Sequence, residues 1–107
     1  MRVNLQLTQS VHIRMQLSPE FENFVYDCYS KFNRKDWGLI EEEEKEDNEQ
    51  AIAKGGDVLG LYRNRKTKDE VIVLLPKSRN SINIYLHEEL LADKVGLVKT
   101  DYTSKLN

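Results

Sequence analysis

A chain of 107 residues, 39% of them hydrophobic and 32% charged, has the length of one domain and too much apolar content for a disordered chain. Its longest apolar run, Val71–Leu75, is far short of a membrane span, and a single cysteine gives no internal disulfide framework, so a reducing, cytoplasmic setting is expected. The net charge of −2 conceals one segment, residues 41–57, with eight acids and two lysines, a balance that argues against a general DNA binder.

The first residues, Met1-Arg2-Val3-Asn4-Leu5-Gln6, alternate apolar and polar side chains where a secretion signal has a continuous apolar run. That alternation places Val3, Leu5 and Leu7 on one face of a strand. Val11, Ile13, Met15 and Leu17 repeat it in a second strand, with Thr8-Gln9-Ser10 as a hairpin between them. Ser18-Pro19-Glu20 then reads as a helix start, since serine accepts a free backbone N–H and proline is tolerated at the first helical position. Phe21, Phe24, Val25, Cys28, Tyr29 and Phe32 fall on one stripe of that helix, which ends at Asn33. A second, far more polar helix is predicted over Leu39–Lys54, supported by Glu41 one turn before Lys45 and stopped by Gly55-Gly56.

Strands follow at Asp57–Arg63, Glu70–Leu75 and Ser81–Leu86, with a basic loop at Asn64–Lys68. The nearly unbroken apolar character of Glu70–Leu75 predicts a central strand, closed by Pro76. Val95–Lys99 suits a short further strand in an otherwise weakly specified tail, 93–107. The order β-β-α-α-β-β-β predicts a single α+β domain over 1–107, with an antiparallel sheet of about five strands and helices packed on one face.

Chemistry-bearing residues are sparse. His87-Glu88-Glu89 lacks a second histidine one turn later, where Leu91 stands, so it forms no closed zinc site. Cys28 lies among Phe24, Val25 and Phe32 on the helix stripe, the setting of an inert core thiol. No catalytic residue, metal or cofactor is expected. The outstanding feature is Glu41, Glu42, Glu43 and Glu44, extended by Glu46, Asp47 and Glu49. Such a run reads either as a solvated helix face or as a surface that docks on a cationic groove in place of a nucleic-acid backbone. Trp37, Tyr26, Tyr62 and Tyr85 are candidate exposed aromatics of the kind that anchor protein interfaces, or else they pack on the sheet.

Asp36-Trp37-Gly38, Asn48, Ala51, Gly55 and Leu59-Gly60-Leu61-Tyr62 resemble a family of small proteins carried by bacterial plasmids, phages and integrated elements. The likeness continues through Val71-Ile72-Val73, Arg79 with Ser81, and Leu86-His87-Glu88-Glu89-Leu90, where the family tends toward Leu-Pro-Glu-Glu-Tyr. It covers about residues 20–90; the stretch Leu75–Asn83 and the tail after Leu91 depart from it. The resemblance implies a mobile-element accessory protein, a setting that includes inhibitors of host defence such as anti-CRISPR proteins.

The resulting expectation is a non-enzymatic inhibitor that binds a host defence protein, a CRISPR effector nuclease first among candidates. Trp37, Glu41, Glu42, Glu43, Glu44 and Asp47 would make the contact, with Arg79 at the rim. The alternatives are a small nuclease using His12, His87 and Arg79, and an element-maintenance protein that holds nucleic acid through Arg63, Arg65, Lys66 and Lys68. An uncovered edge on the N-terminal hairpin would allow a homodimer. No membrane partner is expected.

Overall fold

The computed structural model describes residues 4–90 and 97–100. Along the chain these form β1 (Asn4–Thr8), α1 (Gln9–Leu17), α2 (Pro19–Asn33), α3 (Glu42–Lys54), β2 (Val58–Arg63), β3 (Glu70–Leu75), β4 (Ser81–Leu86), α4 (His87–Leu90) and β5 (Leu97–Thr100). The class is α+β, as the sequence implies. The sheet order is β2-β3-β4-β1-β5. It is mixed: β1 runs parallel to β4 with Leu5 opposite Ile82 and Leu7 opposite Ile84, and the other pairs are antiparallel.

The expected N-terminal hairpin is therefore corrected: Val11–Leu17 lies in helix α1. The apolar residues at 11 and 15 are one helical turn apart as well as on one strand face, so their spacing satisfies both periods. Val11 and Met15 are buried, whereas Ile13 is 43% and Leu17 79% exposed, the division a helix imposes. Thr8 decides the matter locally. Its hydroxyl accepts from the Val11 N–H at 3.2 Å as an N-cap and donates to Glu89 at 2.6 Å. Glu89 in turn accepts from the Leu86 N–H at 3.0 Å, so one carboxylate joins the starts of α1 and α4. Freed from a hairpin, β1 inserts between β4 and β5. It is hydrogen-bonded on both sides and offers no open edge for a dimer.

Helix α2 follows its stripe. Ser18 Oγ accepts from the Phe21 N–H at 3.2 Å, proline occupies the first turn, and Phe21, Val25, Cys28 and Phe32 are buried. These residues, with Val11, Met15 and Ala51, pack onto one sheet face made by Leu5, Leu7, Val58, Tyr62, Val71, Val73, Ile82, Ile84 and Leu86. Ile72, Asn83 and Tyr85, on the opposite face, are also buried, so β3 is central and covered on both sides over 71–73. The strand expected near Val95–Lys99 is realised as β5; the other residues of the expected tail lie outside those described.

Helix α3 begins at Glu42, three residues later than the polar pattern predicts. Gly38 takes φ +77°, and the Leu39 N–H donates to Leu61 O at 2.8 Å, which ties 37–39 to the sheet edge instead of the helix. The Glu41 N–H donates to the Glu44 carboxylate at 3.3 Å, half of a capping box.

Candidate functional site

Asp36-Trp37-Gly38, Asn48 and Leu59-Gly60-Leu61-Tyr62 converge on the outer edge of β2. An edge strand leaves alternate N–H and C=O groups unpaired. Here Asn48 reaches from α3 and presents its carboxamide as a substitute peptide: Oδ1 accepts from the Leu59 N–H at 3.0 Å and Nδ2 donates to Leu59 O at 2.8 Å. Two residues on, the Leu61 N–H donates to Trp37 O at 3.0 Å, and the Leu61 carbonyl accepts from the Leu39 N–H at 2.8 Å. Tyr62 crosses beneath and donates its hydroxyl to Asp36 O at 2.7 Å. Gly38 and Gly60 are required by this closeness, since a Cβ on Gly38 would lie 2.0 Å from Leu61 O and one on Gly60 would lie 2.5 Å from the Tyr62 hydroxyl. The most specific motif is thus a clasp that fixes α3 against the sheet.

Trp37 belongs to that clasp. It is 6% exposed, with its indole edge-on to Phe32 at 5.3 Å and 70°, so the expectation of an exposed aromatic anchor is corrected. Tyr62 and Tyr85 are buried as well, and Tyr26 is partly buried against the core. Arg79 is likewise structural. Its guanidinium donates to Ala51 O at 2.8 Å, Gly56 O at 2.7 Å and Pro76 O at 3.3 Å. The arginine thereby caps the C-terminus of α3 from the β3–β4 turn and is not at the rim of an acidic patch.

With α3 held near its middle and at its C-terminal end, Asn48 and Ala51 face inward and the acids face out. Glu41, Glu42, Glu43, Glu44, Glu46, Asp47 and Glu49 are all exposed. Among the described residues only Glu42 of these forms an ion pair, with Lys45 at 3.3 Å. A shallow groove of about 490 Å³ is lined by Lys35, Trp37, Lys45, Glu46, Glu49 and Gln50. Glu46 and Glu49 thus line the site more directly than Glu41; helical phase combined with the position of the clasp selects them, and the acidic run by itself does not.

A second cluster surrounds the start of β3. Asp69 accepts from Arg14 at 2.6 Å. Glu70 accepts from Arg63 at 2.8 Å and 3.2 Å, and it lies 3.1 Å from His87 Nδ1. Burial would raise the Asp69 carboxyl, but hydrogen bonds from Arg14 and Thr67 overcome it and hold the group below its ordinary range. Glu70 is lowered by His87 first and Arg63 second. A cleft of about 280 Å³ is lined here by Arg14, Lys68, Asp69, Glu70, Leu86, His87 and Glu88. The nucleolytic trio is not assembled in it. His87 and Arg79 flank opposite ends of β4, a separation of roughly 20 Å for a strand of that length, and Arg79 is committed to carbonyls. His12 is on α1, outside the lining of the cleft.

Cys28 is 1% exposed, and burial pushes its thiol up to about 12, which is the inert behaviour expected. Among the described residues, no group of three or more His, Cys, Asp and Glu is placed to hold a metal ion, and no helix is long and apolar enough to cross a membrane.

The basic loop Asn64–Lys68 forms a fixed turn. Asn64 Oδ1 accepts from Lys66 and Thr67 N–H, at 2.9 Å and 3.4 Å, and Asn64 O accepts from Lys68 N–H at 2.9 Å. Lys66 is not among the residues that line the neighbouring concavity, which include Arg63, Arg65 and Lys68. In comparisons with known proteins, the chain matches no family model, no curated protein and no solved structure.

Proposed function

We propose that this chain is a mobile-element accessory protein that inhibits a host nucleic-acid-processing defence system by binding to it, without catalysis of its own. The observation that carries the reading is the exposed set of seven acids formed by the N-cap Glu41 and six residues of α3, a helix clamped by Asn48 near its middle and by Arg79 at its end. Rigidity matters because a pre-positioned charge array loses little conformational entropy on docking. The attraction between an exposed carboxylate and a cation about 4 Å away is about 1 kcal/mol in water before any cost of desolvation, so the array acts mainly by drawing α3 toward a cationic groove. Nucleic-acid-processing nucleases hold their strands in such cationic channels, guide–target heteroduplex channels included. The resemblance around Asp36-Trp37-Gly38 directs the choice of first target to CRISPR effector nucleases.

The test mixes the purified protein with candidate effectors and follows both target cleavage and co-elution. The triple variant Glu43→Lys, Glu46→Lys and Asp47→Lys leaves Asn48 and the capping residues in place and should lose inhibition while retaining its fold. Undiminished inhibition by that variant would end the proposal. Catalytic turnover of a labelled guide RNA, abolished by His87→Ala, would replace it with a hydrolytic reading centred on the His87–Glu70 pair.

A further inference from the structure

A concavity of about 370 Å³ lies on the other side of the 36–39 segment from the α3 groove, between the end of α2, Gly38-Leu39 and the β2–β3 turn. Its walls carry four cations, Lys31, Arg63, Arg65 and Lys68, against one acid, Asp36. The Asp36 carboxylate is already accepting from the Gly38 N–H at 3.2 Å. Lys31 is paired with Asp27 at 3.1 Å and Arg63 with Glu70. Among the described residues no carboxylate pairs with Arg65 or Lys68, and both are exposed. The Asn64 turn sets the backbone of both beside the cleft, with the Lys68 N–H donating to Asn64 O and the Lys66 N–H between them donating to Asn64 Oδ1.

The floor is apolar. Phe24 is only partly covered and Leu39 is 53% exposed, which places an aromatic ring and an aliphatic side chain beneath cationic walls. A ligand that suits both must carry negative charge and a flat apolar body together. An unpaired nucleotide does so, with phosphates for Lys and Arg and a base for the ring. The volume is within the range of small-ligand sites and is adequate for one nucleotide unit. An acidic peptide supplies the charge without the stacking face, and a duplex keeps its bases turned away from such a floor.

We propose that this cleft binds the phosphate–base unit of a single-stranded nucleic acid. It is independent of the acidic face of α3, and either reading survives failure of the other. The probe is a labelled oligouridylate titrated into the full chain at several salt concentrations. Saturable binding is expected, with log affinity falling against log salt at a slope of about −2 to −3 as the seated nucleotide and its neighbours along the strand bring three or four phosphates to the cations. Arg65→Gln with Lys68→Gln, at exposed positions, should weaken binding by roughly tenfold at low salt and reduce the slope by about 1.4. Phe24→Leu keeps most of the packing volume and should weaken binding by about fivefold or more with an unchanged slope. The α3 triple variant should bind the strand as well as the parent. No saturable binding at low salt overturns the proposal. So does polyglutamate or duplex competing as well as the single strand, or indifference of the affinity to Phe24→Leu.

Discussion

Gly38 and Gly55 offer a controlled comparison at the level of single residues. Both have positive φ, +77° and +88°, so alanine is strained at either. Only Gly38 is also crowded, by Leu61 O at 2.0 Å, while nothing lies within 4 Å of a Cβ on Gly55. Gly55→Ala should therefore cost about 1–2 kcal/mol, and Gly38→Ala at least about 3 kcal/mol because the clasp must open as well. Urea unfolding of the two variants reads the difference, and equal costs would show that the clasp yields freely. Asn48 makes the same argument through polarity. Asn48→Ala strands the Leu59 N–H and C=O and should cost about 2–3 kcal/mol. Asn48→Asp sets a carboxylate against Leu59 O, so the variant's folded-state pKa is raised and its deficit should shrink as pH falls and the acid regains a donor. Chemical denaturation at neutral and mildly acidic pH separates these outcomes.

The elements differ in how much of them the sequence discloses, and the reasons are local. Helix α2 is legible because its cap, its proline and its apolar stripe agree. Helix α1 is not, because Val11 and Met15 fit a strand and a helix equally and the residue that decides, Thr8, is an ordinary serine-like polar residue until its hydrogen bonds are seen. The parallel pairing of β1 with β4 depends on partners more than seventy residues apart, which no periodicity records. Trp37 reads alike at an interface and in a core, and Phe32 decides for the core. The acidic face of α3 is legible as composition, whereas the clamp that orients it is not.

Arg79 shows what that clamp is worth: Arg79→Ala should lower stability by about 2–4 kcal/mol, through lost charge-assisted bonds to two α3-end carbonyls. Hydrogen exchange should accelerate most in the last turn of α3; uniform acceleration would deny the local role. The start of β3 gives a pH dependence of known sign. Asp69 and Glu70 tie α1, β2 and α4 together and both have depressed folded-state values. Their contribution is complete above the ordinary carboxylate range of about 4 and is lost as pH falls through the folded-state values. Asp69→Asn with Glu70→Gln should flatten acid unfolding over that window. An unchanged profile would assign it to other carboxylates.

Across the whole molecule the charge is polarised although its sum is only −2. Segment 36–39 separates the acidic outer face of α3 from a cationic cleft at the β2–β3 turn. Such a molecule is oriented as it approaches a charged partner, because fields from the two sides act with opposite sign over a Debye length of about 8 Å at physiological salt. Orientation affects encounter more than retention. Neutralising the acids, with Glu43→Gln, Glu46→Gln, Asp47→Asn and Glu49→Gln, should slow association with a cationic effector by roughly tenfold at low salt and leave dissociation nearly unchanged. The difference from the parent should vanish as salt is raised and screening shortens the field. Stopped-flow association at several ionic strengths gives both quantities. A loss confined to dissociation would mean that these carboxylates act as buried contacts in the complex, and the docked geometry would have to enclose α3 instead of meeting its outer face.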